Sequence, residues 1–463
     1  MAINWAGEIT EKLVTAAWQG LLDKGCKLKT ESGDVLRVIY PGKTSDAPGS
    51  DFQDAVIHIN RRTLKGNIEL HVNASDWHKH EHDRNPAYNG VVLHVAWRRD
   101  CPEAIVLQNG TIIPSVSLDT YLQNDTTRAS GGKVPCSGIA LNSPEKLIQI
   151  LYAAGTARFH EKAGHFQRQL QHQETGQSLY QGIMTALGYA RNQDPFQELA
   201  TKIPLAELES ALSGENEYES SQPGIEALLL GTSGLLPSQR PECEYSPFED
   251  YTYVNKLEKV WETIQRTDVM DYRDWQFFRV RPANSPLRRI AGMSRLLQRY
   301  RGKDLLHGLV ASVREAPPEN SSRFLEDGLM TEDDGYWAGR FDFGKGYPGL
   351  SKWLIGQTRA ADIVINILLP FVYGRGEESG ETALAEKALA LFDAYPPAET
   401  NTVARHMQAQ FGLRSSQVKF AKHQQGLLHL YKKWCTQGRC GECALNGKYK
   451  FQEPNFKLQT IIK

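Results

Sequence analysis

The stretch Gly66-Asn67-Ile68-Glu69-Leu70-His71-Val72 alternates apolar and polar side chains. Side chains two positions apart share one face of a pleated strand, so Ile68, Leu70 and Val72 point one way while Glu69 and His71 point the other. A strand with one buried face tolerates polar residues opposite, but a carboxylate beside an imidazole is also the start of a metal or acid–base site. Its neighbours read as strands too: DVLRVIY (34–40) and DAVIHIN (54–60) before it, GVVLHVAW (90–97) after it. AIVL and TIIPSV flank the turn dipeptide Asn109-Gly110, a hairpin signal. GNIELHV is therefore an inner strand of an N-terminal sheet. Ahead of that sheet, EITEKLVTAAWQGLLDKG has helical spacing, with Gly25 as its stop.

From SPEKLIQILYAAGTARFHEKAG (143–164) onward the apolar period becomes helical. The expected fold is α+β, with a mixed sheet domain over residues 1–145 and a mainly α-helical region over 146–463. Within the helical region SGENEYESSQPG and REAPPENSSRF read as surface loops, and Ser285-Pro286 as the N-cap and first position of a helix. A further helix is expected in TNTVARHMQAQF, after the pair Pro396-Pro397.

The 463 residues carry a formal net charge of −1, which leaves no global field to hold nucleic acid or an anionic membrane. Any such contact has to be local. The N-terminus has no basic segment followed by a long apolar run, and the most apolar stretch, IVINILLPFVY, is too short and proline-interrupted to span a bilayer. A cytoplasmic protein without a membrane partner is the expectation; protein partners leave no sequence signal. Seven cysteines are an odd number, and Cys26, Cys101, Cys136 and Cys243 are scattered singly, unlike a secreted disulfide framework.

Asp51 opens the strand before GNIELHV, and neighbouring strands lie about 4.8 Å apart, so its carboxylate can approach that of Glu69. Two carboxylates beside a sheet suit a hard cation, magnesium or manganese, that retains waters for chemistry on phosphate. DWHKHEHDRNPAYN follows at once, with His78, His80 and His82 alternating between Asp76 and Asp83. In an extended segment they project to one side, where they can gather zinc or manganese. His80 and His82 are the better pair; they can equally hold a phosphate or cap the loop. His94 reads as a satisfied core histidine.

The arrangement resembles the PD-(D/E)XK nuclease-like superfamily, in which an aspartate opens one strand and a Glu-X-Lys sits on the next. Here Ser50 stands at the proline position and His71 at the lysine position. The resemblance implies a nuclease core in which Asp51 and Glu69 hold the metal, and in which His71 acts as a base on the attacking water or ligates the metal instead. His80 and His82 would complete the metal site or hold phosphate. Over nearly its whole length the chain also resembles an uncharacterised bacterial family with the signatures GPDF, GDVEIH, SSDWYxHxH and DPxYxxVILHV. GSDF, GNIELH, ASDWHKHEH and NPAYNGVVLHV correspond. Asp51, Glu69, His71, Asp76, Trp77, His80, His82 and Tyr88 match these signatures, while Ser50, Asn67, His78 and Asn85 depart from them. This second resemblance brings no established activity.

YRDWQFFRVRPANSPLRRIAGMSRLLQRYRGK packs nine Arg and Lys among aromatics, a candidate nucleic-acid surface. Leu287, Ile290 and Leu297 can face a core while Arg288, Arg295 and Arg299 follow a phosphate backbone; a solvated face is the plainer reading. Near the end, WCTQGRCGEC places Cys435, Cys440 and Cys443 in a C-x4-C-x2-C spacing that suits structural zinc or an iron–sulfur cluster, with His429 or Cys243 as fourth ligand. The leading expectation is a divalent-metal-dependent phosphodiesterase, a nuclease. Its rivals are a non-catalytic nucleic-acid-binding or assembly protein and a zinc-dependent hydrolase of small substrates. No G-x-x-x-x-G-K-[ST] loop supports an ATP-driven motor.

Overall fold

The computed structural model describes residues 9–24, 26–44, 50–60, 62–122, 136–189, 191–213, 222–240, 251–277, 280–446 and 451. Gly25, Cys243 and most of SGENEYESSQPG lie outside the described residues. The chain divides into two compact units. One comprises Met1–Gly155, Thr400–Val418 and His423–Lys463; the other comprises Thr156–Glu399 and Lys419–Lys422. The C-terminal segment, expected as the end of the helical region, thus clusters with the N-terminal sheet.

The strands of the first unit are β1 (Leu28–Lys29), β2 (Val35–Tyr40), β3 (Lys43–Thr44), β4 (Phe52–Ile59), β5 (Arg62–Asn73), β6 (Val91–Arg98), β7 (Ile105–Val106), β8 (Ile112–Ile113) and β9 (Ser115–Ser117). Seven of them form one mixed sheet in the order β1-β2-β4-β5-β6-β9, with β3 on β4, while β7 and β8 form the expected hairpin. Gly110 in its turn has φ +82°, the left-handed backbone that Asn-Gly turns supply. Pairing is antiparallel from β1 to β5 and parallel from β5 through β6 to β9.

The alternation in GNIELHV places Ile68 and Leu70 in a core with Phe52, Ile57, Leu93 and Val95. Val14, Trp18 and Leu21 of the helix Glu11–Lys24 close that core. On the opposite parity, Ile39, Tyr40 and Val56 bury against Leu147, Leu151, Met407, Phe411 and Leu430 from the helices of the same unit. Glu69, His71 and His94 share this second parity on β5 and β6 and are 6, 1 and 0 % exposed. A charged or imidazole side chain so buried requires a partner.

Gly426, in the helix Ala421–Lys433, lies so close to the helix Pro144–Leu170 that a Cβ there would run into the Leu151 carbonyl. Gly426→Ala is therefore expected to lower stability by about 1–3 kcal/mol, read as a fall in thermal midpoint. On an open helix the same change would stabilise, so the sign of the shift tests the packing.

The second unit is mainly α-helical. Helices including Thr175–Leu187, Gln222–Thr232, Pro286–Arg299 and Leu369–Ser379 share one core containing Ile183, Leu229, Leu296 and Phe371. IVINILLPFVY becomes a π-helical turn, Val364–Leu368, running into the helix that carries Pro370. Among the described residues no helix is long and apolar enough to cross a membrane.

Ser285 sits at the N-cap of Pro286–Arg299, but its side chain makes no capping bond and its hydroxyl is buried without a partner. Asn401 caps the helix Thr402–Phe411 in the expected way, its Oδ1 accepting from Ala404 N at 2.8 Å.

Candidate metal centre

Phe52 on β4 pairs with Ile68 on β5, so Asp51 arrives beside Glu69. The Asp51 backbone N–H donates to Glu69 Oε2 at 3.2 Å, and the Asp51 carboxylate accepts from Leu70 N at 2.8 Å. Burial pushes the Asp51 carboxyl up to about 6, the Leu70 hydrogen bond opposing and the Glu11 charge adding to the shift. Asp51 and Glu69 thus meet through peptide to carboxylate, while the Asp51 carboxylate itself is engaged by Leu70 N.

The histidine segment is not extended. A short helix, Asp76–Lys79, follows β5, its first-turn Asp76 Oδ2 accepting from Asn73 N at 2.9 Å and Asn73 Nδ2 at 3.1 Å. Trp77 anchors it, fully buried, with Nε1 donating to Val106 O at 3.0 Å. Glu81 then takes φ +56°, an uncommon left-handed conformation for a non-glycine residue. The chain turns, and His78 departs from its two neighbours: its Nδ1 pairs with Asp83 Oδ2 at 3.1 Å. His80 and His82 instead converge on His71. One nitrogen from each of His71, His80 and His82 lies within 4.8 Å of the others, and among the described residues no other such group of His, Cys, Asp or Glu occurs.

The surroundings orient these rings. His71 Nδ1 lies 3.0 Å from His94 Nε2, and His94 Nδ1 lies 3.1 Å from Ser115 Oγ. If His71 Nδ1–H donates to His94 Nε2 and His94 Nδ1–H donates to Ser115, the relay leaves the His71 Nε2 lone pair for a cation. A metal-binding imidazole needs its other nitrogen held in this way. His82 stacks on Tyr88, ring centroids 3.8 Å apart, and its Nδ1 is buried without a hydrogen-bond partner. Its Nε2 lies 3.6 Å from Glu69 Oε1.

Burial, followed by the neighbouring imidazoles, holds His71 down to about 2 and His82 to about 4; burial and then His82 hold His94 to about 3. These three rings are neutral at pH 7, the form in which imidazole binds a metal. Three nitrogen donors suit zinc or manganese better than magnesium, which prefers oxygen.

The geometry regroups the expected site. His71, assigned to the lysine position, is one of the three converging rings, while Asp51 and Glu69 are not part of that group. His94, expected as a satisfied core histidine, is buried and hydrogen-bonded to His71 and Ser115, and Ser115 lies outside the expected site. The signal for His94 was its place on the polar parity of the strand after GNIELHV; Ser115 could be found only through the β6–β9 register, which pairs it with His94.

A family model described as a protein of unknown function, DUF2851, matches residues 11–402. The chain belongs to the DUF2851 family. No curated protein and no solved structure matches it. The DUF2851 match contains the whole histidine centre and ends before Cys435.

The candidate nucleic-acid residues of this DUF2851 chain require correction. Arg288 is fully buried, and its guanidinium donates to the carbonyls of Trp337, Arg340, Ser351 and Trp353. Arg295 is bound to Glu226 Oε2 at 2.8 Å and Asp333 Oδ1 at 3.1 Å; Glu226 also accepts from Trp337 Nε1 at 2.6 Å. These two arginines satisfy buried acceptors and do not face a phosphate backbone. Arg299 alone of the three is exposed, and it donates to Asp327 O at 2.8 Å.

Proposed function

We propose that this DUF2851 chain is a metal-dependent hydrolase whose zinc or manganese ion is held by His71, His80 and His82. The reading rests on the convergence of three ring nitrogens, one of them on a ring fixed by the His94–Ser115 relay. His71, His80 and His82 would hold the ion as neutral ligands, and when bound it would supply Lewis acidity to a water and to a substrate oxygen. Glu69, buried beside His82, is the carboxylate assigned to accept the proton from that water. Nucleic-acid phosphodiesters are the substrate class, as the Asp51–Glu69 strand pair implies through its resemblance to PD-(D/E)XK nucleases.

The test is cleavage of labelled single- and double-stranded DNA and RNA, and of a small phosphodiester, by the zinc- or manganese-loaded chain. Glu69→Gln keeps an acceptor for Asp51 N–H and is expected to retain the ion while losing on the order of 10²–10⁴-fold in turnover. Full activity in this variant would sink the assignment. Turnover with magnesium that is indifferent to His80→Ala would instead place the chemistry at Asp51 and Glu69.

A further inference from the structure

The cysteines near the end of the chain gather around a separate cavity in the first unit. Cys435, Cys440 and Cys443 line it together with Cys136, a residue distant in sequence, and with Phe411 and Trp434. Neither fourth ligand considered from sequence is there: Cys243 lies outside the described residues, and His429 does not line the cavity. The His429 ring instead packs against Trp434, centroids 5.9 Å apart. None of the four cysteines is in a disulfide.

We propose that Cys136, Cys435, Cys440 and Cys443 hold an iron–sulfur cluster. The spacing of the sulfurs favours a cluster over a single ion. Tetrahedral zinc with bonds of about 2.3 Å draws its four sulfurs to roughly 3.8 Å from one another. Here no three of these sulfurs lie within 4.8 Å of one another. Four thiolates set wider than zinc would draw them are the ligand set of a cluster several ångströms across. Its surroundings supply the hydrogen bonding and charge that cluster sulfurs use: Gln410 Nε2 donates to Cys136 Sγ at 3.1 Å, and the Arg37 charge acts on Cys440.

The site also has a mechanical consequence. Gly438, between Cys435 and Cys440, has φ +63°, and a Cβ there would run into His58 and Thr63 of the β4–β5 hairpin. The cysteine loop thus lies flat on the sheet. A cluster joining it to Cys136 closes a loop of chain containing the entire second unit, the kind of long-range crosslink that most restricts an unfolded chain.

The experiment is anaerobic purification of the full chain, with iron, zinc and acid-labile sulfide measured beside the visible spectrum. Equal amounts of iron and sulfide with a broad charge-transfer absorption are expected. Cys136→Ser and Cys440→Ser should each lower bound iron at least about tenfold, whereas Cys101→Ser and His80→Ala retain the sulfide. Zinc without sulfide overturns the proposal, as does a chain that takes up no cluster when supplied with ferrous iron and sulfide. So does a folded Cys136→Ser chain with its full iron content. The wild-type measurement decides even if the serine variants fail to fold, and retention of sulfide by His80→Ala separates this site from the histidine centre.

Discussion

Alanine at position 80 is expected to empty the histidine centre without disturbing the sheet. His80 is the exposed member of the three, so its removal leaves no buried cavity and little stability is lost. Metal affinity is another matter. A metal site distributes its binding free energy over few ligands, and loss of one of three should weaken zinc or manganese on the order of a hundredfold or more. Competition with a chromophoric chelator, together with metal content after dialysis, measures this directly. His78→Ala supplies the contrast: its ring pairs with Asp83 and is absent from the convergent set, so affinity should stay near that of the wild type. Equal loss in both variants would mean that the loop as a whole, and not the three convergent nitrogens, carries binding. Unchanged affinity in His80→Ala would remove the centre.

Acid should destabilise the metal-free protein steeply. His71, His94 and His82 are held at about 2, 3 and 4, all below the value of about 6.5 that an unfolded histidine takes. Between those limits the unfolded chain binds more protons than the folded one, so stability is fully present above about pH 6.5 and falls as the pH drops through the window. Each buried imidazole contributes up to about 2 kcal/mol of loss between pH 6.5 and 5, together several kcal/mol of a total that is typically 5–15. Asp51 works in the opposite direction. Its carboxyl, raised to about 6, binds its proton earlier in the folded chain and offsets part of the loss. Urea unfolding of the metal-free chain at pH 7.5 and at pH 5 is the measurement. Equal midpoints at the two values would show that the three rings are not buried in neutral form. Zinc added at pH 7.5 should raise the midpoint, since an ion that binds only the folded state stabilises it by mass action.

How much of this could be read beforehand depends on the range of the forces involved. The strands, the first helix and the Asn109-Gly110 hairpin follow from alternation, helical spacing and turn chemistry, which act between residues near in sequence. The same local rules put Glu69 and His71 on one face, and strand order brought Asp51 to Glu69. The histidine loop reads as extended from sequence because three alternating histidines do not reveal the short helix Asp76–Lys79, whose Asp76 carboxylate holds Asn73 N, nor the left-handed Glu81 after which His78 pairs with Asp83 and not with the other two.

Charge pattern misled for a related reason. A guanidinium is costly to bury in apolar surroundings, so an arginine-rich helix reads as an outer face. Arg288 escapes the penalty because carbonyls from Trp337, Arg340, Ser351 and Trp353 meet its donors, and those carbonyls come from segments far along the chain.

The sequence by itself determined the α+β division, the parity of β5, the candidates Asp51, Glu69, His71, His80 and His82, and the close set of three cysteines. Only the tertiary structure decided which of these meet. Strand register put His94 opposite Glu69, within hydrogen-bond reach of His71, and Ser115 opposite His94. Backbone reversal at Glu81 selected His80 and His82 over His78, and the return of the C-terminal segment carried three cysteines to Cys136. Periodicity fixes the direction in which a side chain points, whereas its partner is set by packing between segments that have no proximity in the chain.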